Sequence, residues 1–260
     1  MTDFDEQILA VRRYIREKKG TEGSVAETLV PTRLQELVQG LPVEYSSDRK
    51  PFVLLKEDTF VELGNPVQGS ASMVLVTRQA ALIRNGLITR IGPDIPASEG
   101  KSLPLGQAIL VGSSGLEDRE LASIQRAADL AHCLEGYMTR QVPRKLWSRV
   151  SREAAAKGFC FETLGRAIMA QYRQLFDALE AIEILFATSS KADVQDLEKI
   201  SLVAAGKSLS IRKLVRTQDG EYECEGLDCD TCSEKEICDS IREVVVIRKK
   251  GKVTGIQVVR

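Results

Sequence analysis

Histidine is almost missing from this chain of 260 residues, because His132 is the only one. A metal site built from several histidines is therefore excluded, and a Ser-His-Asp catalytic site could form only around His132. Neither sign of charge is in excess either, since 36 basic residues stand against 37 acidic ones. A balanced chain has no global attraction for nucleic acid or an anionic membrane, so we expect neither as a partner.

Long apolar runs are also missing from the sequence. No run approaches the roughly 20 residues that are needed to span a bilayer. The first residues read MTDFDEQILAVRRYIREKKG, which is acidic and then amphipathic and resembles neither a signal peptide nor a transit peptide. We therefore expect a cytoplasmic protein, a compartment in which thiols stay reduced.

The periodicity of the chain predicts an α+β fold in three regions. Residues 1–44 are predicted to be an N-terminal helical segment, with an amphipathic helix over residues 3–18. Residues 45–205 are predicted to form an α+β domain with a mainly antiparallel or mixed sheet and packed helices. Residues 206–260 are expected to form a small Cys-rich metal loop followed by a terminal β-hairpin.

Within the α+β domain, residues 51–112 are predicted to be mostly antiparallel sheet. The short apolar runs PFVLL, TFVEL, SMVLVT and QAILVG read as strands. Asn85-Gly86 between AALI and LITRI predicts a two-residue hairpin turn. Helices are predicted next, one from residue 116 to Gly136 and one capped by Ser151, before the buried strand EILFAT. A further helix is predicted after that strand, with Ser190 or Asp193 as the cap at its start.

Four of the six cysteines lie in one short segment, CEGLDCDTCSEKEIC. Their spacing is C-x4-C-x2-C-x5-C, and the four proposed metal ligands are Cys224, Cys229, Cys232 and Cys238. Four thiolates around one centre suit both an iron–sulfur cluster and a structural zinc ion. The compact, asymmetric spacing favours one 4Fe-4S cluster, with one zinc ion as the alternative and unliganded thiols as the remaining possibility.

The only tryptophan lies among basic residues in TRQVPRKLWSRVSRE. Guanidinium groups bind phosphate through forked donors and an aromatic ring can stack on a base, so this pattern is compatible with an anionic or nucleotide-like ligand. The alternative is a strand with one buried tryptophan and exposed arginines. The candidate ligand-binding residues are Arg140, Arg144, Lys145, Trp147, Arg149 and Arg152.

Several stretches together carry a family resemblance. In order, DTFVELGNP, GLITRIGPDIPASEGKSLPLG and the long segment from RVSREAAAKGF to EILFAT resemble the middle domain of the acetyl-CoA synthase (beta) subunit of the CO dehydrogenase/acetyl-CoA synthase complex. The resemblance covers about residues 45–190 and implies an α+β fold. It also implies a soluble protein partner, such as a corrinoid protein, a methyltransferase or a CO dehydrogenase-like subunit.

The departures from that family bear on function. The family's nickel-containing catalytic domain has no counterpart in this sequence, and the Cys224–Cys238 segment does not have its cysteine spacing. Where the family has a tryptophan for coenzyme A, this chain has Met138, while Trp147 and Arg149 align with a second family tryptophan and an arginine. The resemblance thus implies an iron–sulfur accessory or electron-transfer protein of anaerobic one-carbon metabolism. A zinc-stabilised scaffold, or a transferase component that binds coenzyme A or another phosphorylated ligand, remains an alternative, and whether the chain is an enzyme stays open.

Overall fold

The computed structural model describes residues 4–19, 25–29, 33–50, 52–116, 120, 124, 133–142, 144–211, 214–216 and 222–224. The helices are α1 (Asp5–Lys19), α2 (Leu34–Val38), α3 (Arg152–Ala156), α4 (Phe161–Leu175) and α5 (Lys191–Ile211), with 3₁₀-helices at Ala80–Leu82 and Ile95–Ala97. The strands are β1 (Val25–Leu29), β2 (Thr59–Leu63), β3 (Ser70–Thr77), β4 (Leu87–Ile91), β5 (Ser102–Leu103), β6 (Leu105–Gly112), β7 (Tyr137–Val142), β8 (Lys145–Ser151), β9 (Ala181–Ala187), β10 (Leu214–Arg216) and β11 (Tyr222–Cys224).

A five-stranded mixed sheet, the central sheet, has the order β1-β4-β9-β6-β3. The β4/β9 and β3/β6 pairs are parallel, whereas the β1/β4 and β6/β9 pairs are antiparallel. Every residue of β9 is buried, as expected for a strand whose two faces are both covered.

Helices cover the two faces of the central sheet. Because side chains alternate along a strand, Leu185 of β9 packs in one apolar cluster with Ile8 of α1 and Leu197 of α5. Its neighbour Ile184 points the other way and belongs to a second cluster with Ile168 of α4. The result is a layered α+β core, which confirms the predicted fold class for this part of the chain.

A smaller sheet, the second sheet, has the order β5-β2-β8-β7. Strands β7 and β8 form an antiparallel pair in which Arg140 lies opposite Trp147 and Met138 opposite Arg149. Along β8, Leu146, Ser148 and Val150 are buried and belong to the inner face, whereas Trp147 and Arg149 are half-buried on the outer face. The tryptophan is therefore not the buried residue of its strand.

Close contacts within the chain define two compact units, Met1–Lys207 and Ser208–Arg260. In the second unit the structure describes one antiparallel pair, β10 with β11, in which Leu214 lies opposite Cys224. The predicted terminal hairpin after residue 240 lies outside the described residues. No helix in the described part of the chain is long and apolar enough to cross a membrane.

Several local predictions are confirmed. Helix α1 covers most of the predicted amphipathic segment. Ser151 caps α3, its side chain accepting a hydrogen bond from the Ala154 amide, and Ser190 accepts one from the Asp193 amide at the start of α5. These features depend on neighbouring residues only, which is why the sequence reveals them.

The predicted hairpin at Asn85-Gly86 is wrong. The preceding AALI forms a 3₁₀-helix rather than a strand, and the Asn85 side-chain oxygen accepts hydrogen bonds from the Ile182 amide and Arg173. Gly86 has a φ of +80° and its amide donates to the Ile182 carbonyl. The Asn-Gly pair therefore directs β4 into parallel pairing with β9 instead of turning it back. Residues 51–112 are likewise not mostly antiparallel, and in PFVLL the described residues are not a strand.

Candidate functional site

A cleft of about 750 Å³ opens along the outer face of the second sheet. Four of the six predicted ligand-binding residues line it, namely Arg140, Lys145, Trp147 and Arg149. They come together because residues of one face alternate along β8 and because Arg140 lies directly across the ladder from Trp147. The loop that follows β2 and the start of α5 supply the other walls.

The carboxylate of Glu62 organises the floor of this cleft. Its Oε1 atom accepts hydrogen bonds from Trp147 Nε1 at 3.1 Å and from Arg149 Nε and Nη2 at 3.2 and 3.1 Å. Asn65 Nδ2 donates to Oε2 at 2.9 Å. Partial burial acts to raise the pKa of Glu62, but the hydrogen bonds from Asn65, Arg149 and Trp147 outweigh it and lower this pKa below its ordinary value.

Arg149 is held in three directions. Its guanidinium carbon lies 4.7 Å from the centroid of the Trp147 ring, a cation–π contact. Its Nη1 atom donates to the Leu54 carbonyl at 3.0 Å, and its remaining contacts reach Glu62. A ligand therefore meets a Trp147–Arg149 stack whose orientation is already fixed.

The mouth of the cleft carries further positive charge. Lys145 forms an ion pair with Glu198 and donates to the Ser70 carbonyl at 3.1 Å. Arg140 and Lys191 instead donate to the carbonyl oxygens of Thr139 and Val67, at 2.8 and 2.9 Å. Among the residues that the structure describes, no carboxylate forms an ion pair with either of these two cations. They are thus available to an anionic ligand.

The other two predicted residues lie elsewhere. Arg144 has a left-handed backbone, with a φ of +65°, between β7 and β8, and its carbonyl accepts a hydrogen bond from the Ser72 amide. Arg152 lines a separate cavity of about 510 Å³ and forms an ion pair with Glu99 at 3.2 Å. The sequence analysis grouped all six residues because they are close together in the chain. Residues that are close in the chain need not face the same side of a hairpin, so only four of the six line the cleft.

Glu62 and Glu198 are the members of the site that the sequence analysis missed. Both are far from Trp147 in the chain, and each balances one basic residue of the cleft. The alternation within TFVEL could have signalled that Glu62 faces away from the core while Val61 and Leu63 face into it. Nothing in the local sequence indicates that the strand of Glu62 pairs with the strand of Trp147 and Arg149.

Met138 is covered by a neighbouring segment of chain. Its side chain is only 3% exposed, and the Leu54 amide lies 3.1 Å from its sulfur atom. The Leu54 carbonyl also accepts a hydrogen bond from Arg149, which lies opposite Met138 on the adjacent strand. The chain segment that contains Leu54 therefore covers both Met138 and Arg149. The position is therefore part of the core and not of the open cleft.

Only the first of the four predicted metal ligands belongs to a described element. Cys224 ends β11, and its backbone pairs with Leu214, whereas Cys229, Cys232 and Cys238 lie outside the described residues. The sequence analysis missed the β10/β11 pair, although the Asp219-Gly220 dipeptide between them is a turn signal. Within the ranges given above, no group of three or more His, Cys, Asp or Glu side chains could hold a metal ion.

Comparison with known proteins identifies relatives of the first unit. Residues 41–194 match the family described as the CO dehydrogenase/acetyl-CoA synthase complex beta subunit. The chain is 30% identical over 165 residues to the acetyl-CoA decarbonylase/synthase complex subunit beta of Methanothermobacter thermautotrophicus, which covers 62% of this chain and 35% of that protein. It is also 30% identical over 149 residues to the carbon monoxide dehydrogenase/acetyl-CoA synthase subunit alpha of Moorella thermoacetica, covering 56% of this chain and 20% of that protein.

The matched region confirms the resemblance noted in the sequence over residues 45–190. It contains both sheets' strands from β2 to β9 and all the residues of the cleft except Gln195 and Glu198. The chain spans about a third of the length of the Methanothermobacter relative. This chain belongs to the CO dehydrogenase/acetyl-CoA synthase complex beta subunit family.

Proposed function

We propose that the chain is an iron–sulfur accessory or electron-transfer protein in the anaerobic one-carbon metabolism of a CO dehydrogenase/acetyl-CoA synthase-like system. The observation that carries the proposal is the order of two features along the chain. The family match covers residues 41–194, and a segment with four cysteines, which begins at Cys224 and ends at Cys238, follows it. The matched relatives are named as subunits of complexes. We therefore infer that this chain also has a protein partner.

The cysteine segment suits a 4Fe-4S cluster by the chemistry of its donors. Cys224, Cys229, Cys232 and Cys238 would provide four thiolates, which is the usual ligand set of such a cluster. The pairing of Cys224 with Leu214 holds the backbone of the first ligand at the end of a strand. When bound, the cluster would supply one-electron transfer.

The inferred partner is a corrinoid protein, with a methyltransferase or a CO dehydrogenase-like subunit as alternatives. A corrinoid cofactor needs low-potential electrons to return its cobalt to the nucleophilic state, and an accessory protein would hold the electron donor beside it. In this proposal the α+β unit provides the docking surface and the cysteine segment provides the ligands. Co-sedimentation of the anaerobically prepared chain with a corrinoid protein tests the docking part independently of the metal.

Metal analysis of anaerobically purified protein tests the cluster. We expect about four iron atoms and four sulfide ions per chain, a brown colour and a paramagnetic signal after reduction with dithionite. Cys229→Ser should lose most of the iron. Cys160→Ser is the matched control, because Cys160 lies at the start of α4 and serine is a favourable residue at that capping position; it should keep the iron and the colour.

The zinc alternative gives a different result in the same experiment. A colourless protein with about one zinc ion per chain and no iron would overturn the electron-transfer proposal and favour a scaffold whose tail is folded around zinc. Cys229→Ser would then reduce the stability of the second unit without any change in colour.

A second candidate function is binding of a phosphorylated ligand, such as coenzyme A, in the cleft of the second sheet. The specific observation in its favour is that Arg140 and Lys191 lie at the mouth of the cleft without carboxylate partners in the described structure, beside the fixed stack of Trp147 and Arg149. Met138 does not contribute to the surface of this cleft, since it is buried under Leu54.

Fluorescence makes this second candidate testable, because Trp147 is the only tryptophan. Coenzyme A bound in the cleft should change the emission of Trp147 and raise the unfolding temperature. Arg140→Gln should weaken the response about tenfold, the usual effect of losing one charged hydrogen bond. Arg166→Gln is a matched control, since Arg166 lies on α4 and donates to the Leu37 carbonyl away from the cleft. An unchanged emission and unfolding temperature at millimolar coenzyme A would exclude this function.

A further inference from the structure

A second group of basic side chains surrounds a small cavity where α1 crosses the central sheet. The cavity has a volume of about 250 Å³ and is lined by Arg12, Ile15, Arg16 and Arg84. Three of these four residues are arginines, and a guanidinium group keeps its charge at any physiological pH. The cavity lies outside the cleft of the second sheet and shares no residue with it.

A buried carboxylate beneath the cavity holds two of the arginines in place. Glu183 of β9 is 1% exposed. Its Oε1 atom accepts hydrogen bonds from Arg84 Nε and Nη2 at 3.0 and 2.8 Å, and its Oε2 atom accepts from the Arg84 amide at 2.8 Å and from Arg12 Nη2 at 3.3 Å. The orientation of both guanidinium groups is therefore set by the core and not by solvent.

This carboxylate cannot neutralise the cavity. The single negative charge of Glu183 forms ion pairs with Arg12 and Arg84, so the charge of Arg16 is in excess. Arg16 is exposed, and no carboxylate of the described structure forms an ion pair with it. The Arg12 Nε atom is buried and has no hydrogen-bond acceptor.

The placement of Arg12 and Arg16 on α1 adds to this excess. The two residues are four positions apart, which puts their side chains on the same face of the helix, where like charges repel each other. Arg84 approaches from the loop before β4. An anion between the three guanidinium groups would remove the repulsion between them.

We propose that this cavity is an oxyanion site that binds a phosphate group through Arg12, Arg16 and Arg84. Guanidinium forks match the geometry of phosphate oxygens, and two preoriented forks reduce the entropy lost on binding. The volume admits a group of the size of phosphate, while anything attached to it must extend into solvent. The four lining residues include no aromatic ring, so the site recognises the charged group rather than a base.

Binding of inorganic phosphate and of glycerol 3-phosphate to the full-length protein tests this proposal, at constant ionic strength and with potassium chloride as the reference salt. We expect calorimetry to give a dissociation constant of about 1 mM for the wild type. Arg16→Gln should weaken binding about tenfold, because it removes one charged donor pair. Arg16 has no partner in the described structure, so this variant keeps the fold.

Arg13→Gln is the matched control. Arg13 is the exposed neighbour on the same helix and does not line the cavity, so its variant loses the same charge but should bind phosphate within about twofold of the wild type. Tighter binding of glycerol 3-phosphate than of inorganic phosphate would identify an organic monoester as the ligand, and equal binding would identify the free anion. Equal weakening by Arg13→Gln and Arg16→Gln, or no binding of either anion above the chloride reference, would overturn the site.

Discussion

The substitution Glu183→Gln gives the sharpest test of the packing between α1 and the central sheet. Glutamine has nearly the same shape as glutamate, so the change removes charge without creating a cavity. The Glu183 carboxylate accepts four hydrogen bonds, three from guanidinium groups and one from the Arg84 amide. The glutamine NH₂ group cannot accept, so about half of these contacts are lost.

The expected loss follows from the number and kind of these contacts. A hydrogen bond to a charged group contributes about 1.5–3 kcal/mol, and two lost contacts would cost about 3–6 kcal/mol. The side chains of Arg12 and Arg84 are 27% and 37% exposed, so water replaces part of what they lose. We therefore expect the free energy of unfolding to fall by about 3 kcal/mol, the lower end of the range for breaking a buried ion pair.

Urea unfolding followed by Trp147 fluorescence measures this loss. Trp147 and Glu183 both lie in the unit Met1–Lys207, so the single tryptophan reports on the unfolding of the unit that contains the change. With a urea dependence of about 3 kcal/mol per molar, the midpoint should fall by about 1 M. Glu162→Gln is the control, because Glu162 is exposed in the first turn of α4 and its loss should cost only about 0.3–1 kcal/mol.

A loss below about 1 kcal/mol for Glu183→Gln would refute the reasoning, because the buried pair would then contribute no more than an exposed one. A change in the urea dependence itself, without a change in the midpoint, would also contradict it. That result would mean that the substitution alters the compactness of one state or breaks two-state unfolding, and not that it removes a stabilising contact from the folded state alone.

Four further predictions concern local packing and titration. Gly165→Ala would place a Cβ atom 2.7 Å from Ile88 Cδ1, so it should destabilise the unit by about 1–3 kcal/mol in urea unfolding, and adding Ile88→Val should recover part of the loss; additive losses would contradict the contact. Burial raises the pKa of the Cys133 thiol to about 11, so at pH 8 iodoacetamide should modify half-buried Cys160 much faster than Cys133, as peptide mass spectrometry can measure. Because the unfolded thiol ionises near pH 8.5, Cys133 should also lower the stability progressively between about pH 8.5 and pH 11, an effect that Cys133→Ala should abolish. Ser151→Ala should cost about 1 kcal/mol through loss of the cap of α3, and a thermal midpoint equal to that of the wild type would contradict this role.

The parts of the fold that were predictable depend on short stretches of chain. The helix caps at Ser151 and Ser190 and the buried strand β9 follow from the nature of neighbouring residues. The pairing of strands cannot be predicted in this way, because paired strands come from segments as far apart in the chain as β4 and β9. The Asn85-Gly86 error has this origin: the dipeptide has the composition of a hairpin turn, but its hydrogen-bond partner is Ile182.

The candidate cleft was predictable in part for the same reason. Strand alternation and cross-strand pairing bring Arg140, Trp147 and Arg149 to one face, and all three lie within a short stretch. Glu62, which neutralises Arg149 and fixes Trp147, arrives from a strand more than 80 residues earlier, and nothing local indicates that contact. Strand β7 was missed because Gly136 was read only as the end of a helix, whereas β7 begins at Tyr137, the next residue.

The position of β9 in the middle of the central sheet has a consequence for synthesis on the ribosome. Its neighbours β4 and β6 are complete by residue 112, but they bond to each other only through β9, which begins at Ala181. During translation β4 and β6 therefore emerge long before β9, and the edge of each strand that will bond to β9 stays unpaired until then. A nascent chain that is arrested before Ala181 should bind ribosome-associated chaperones. A longer nascent chain, in which all of α5 has already left the exit tunnel, should release these chaperones.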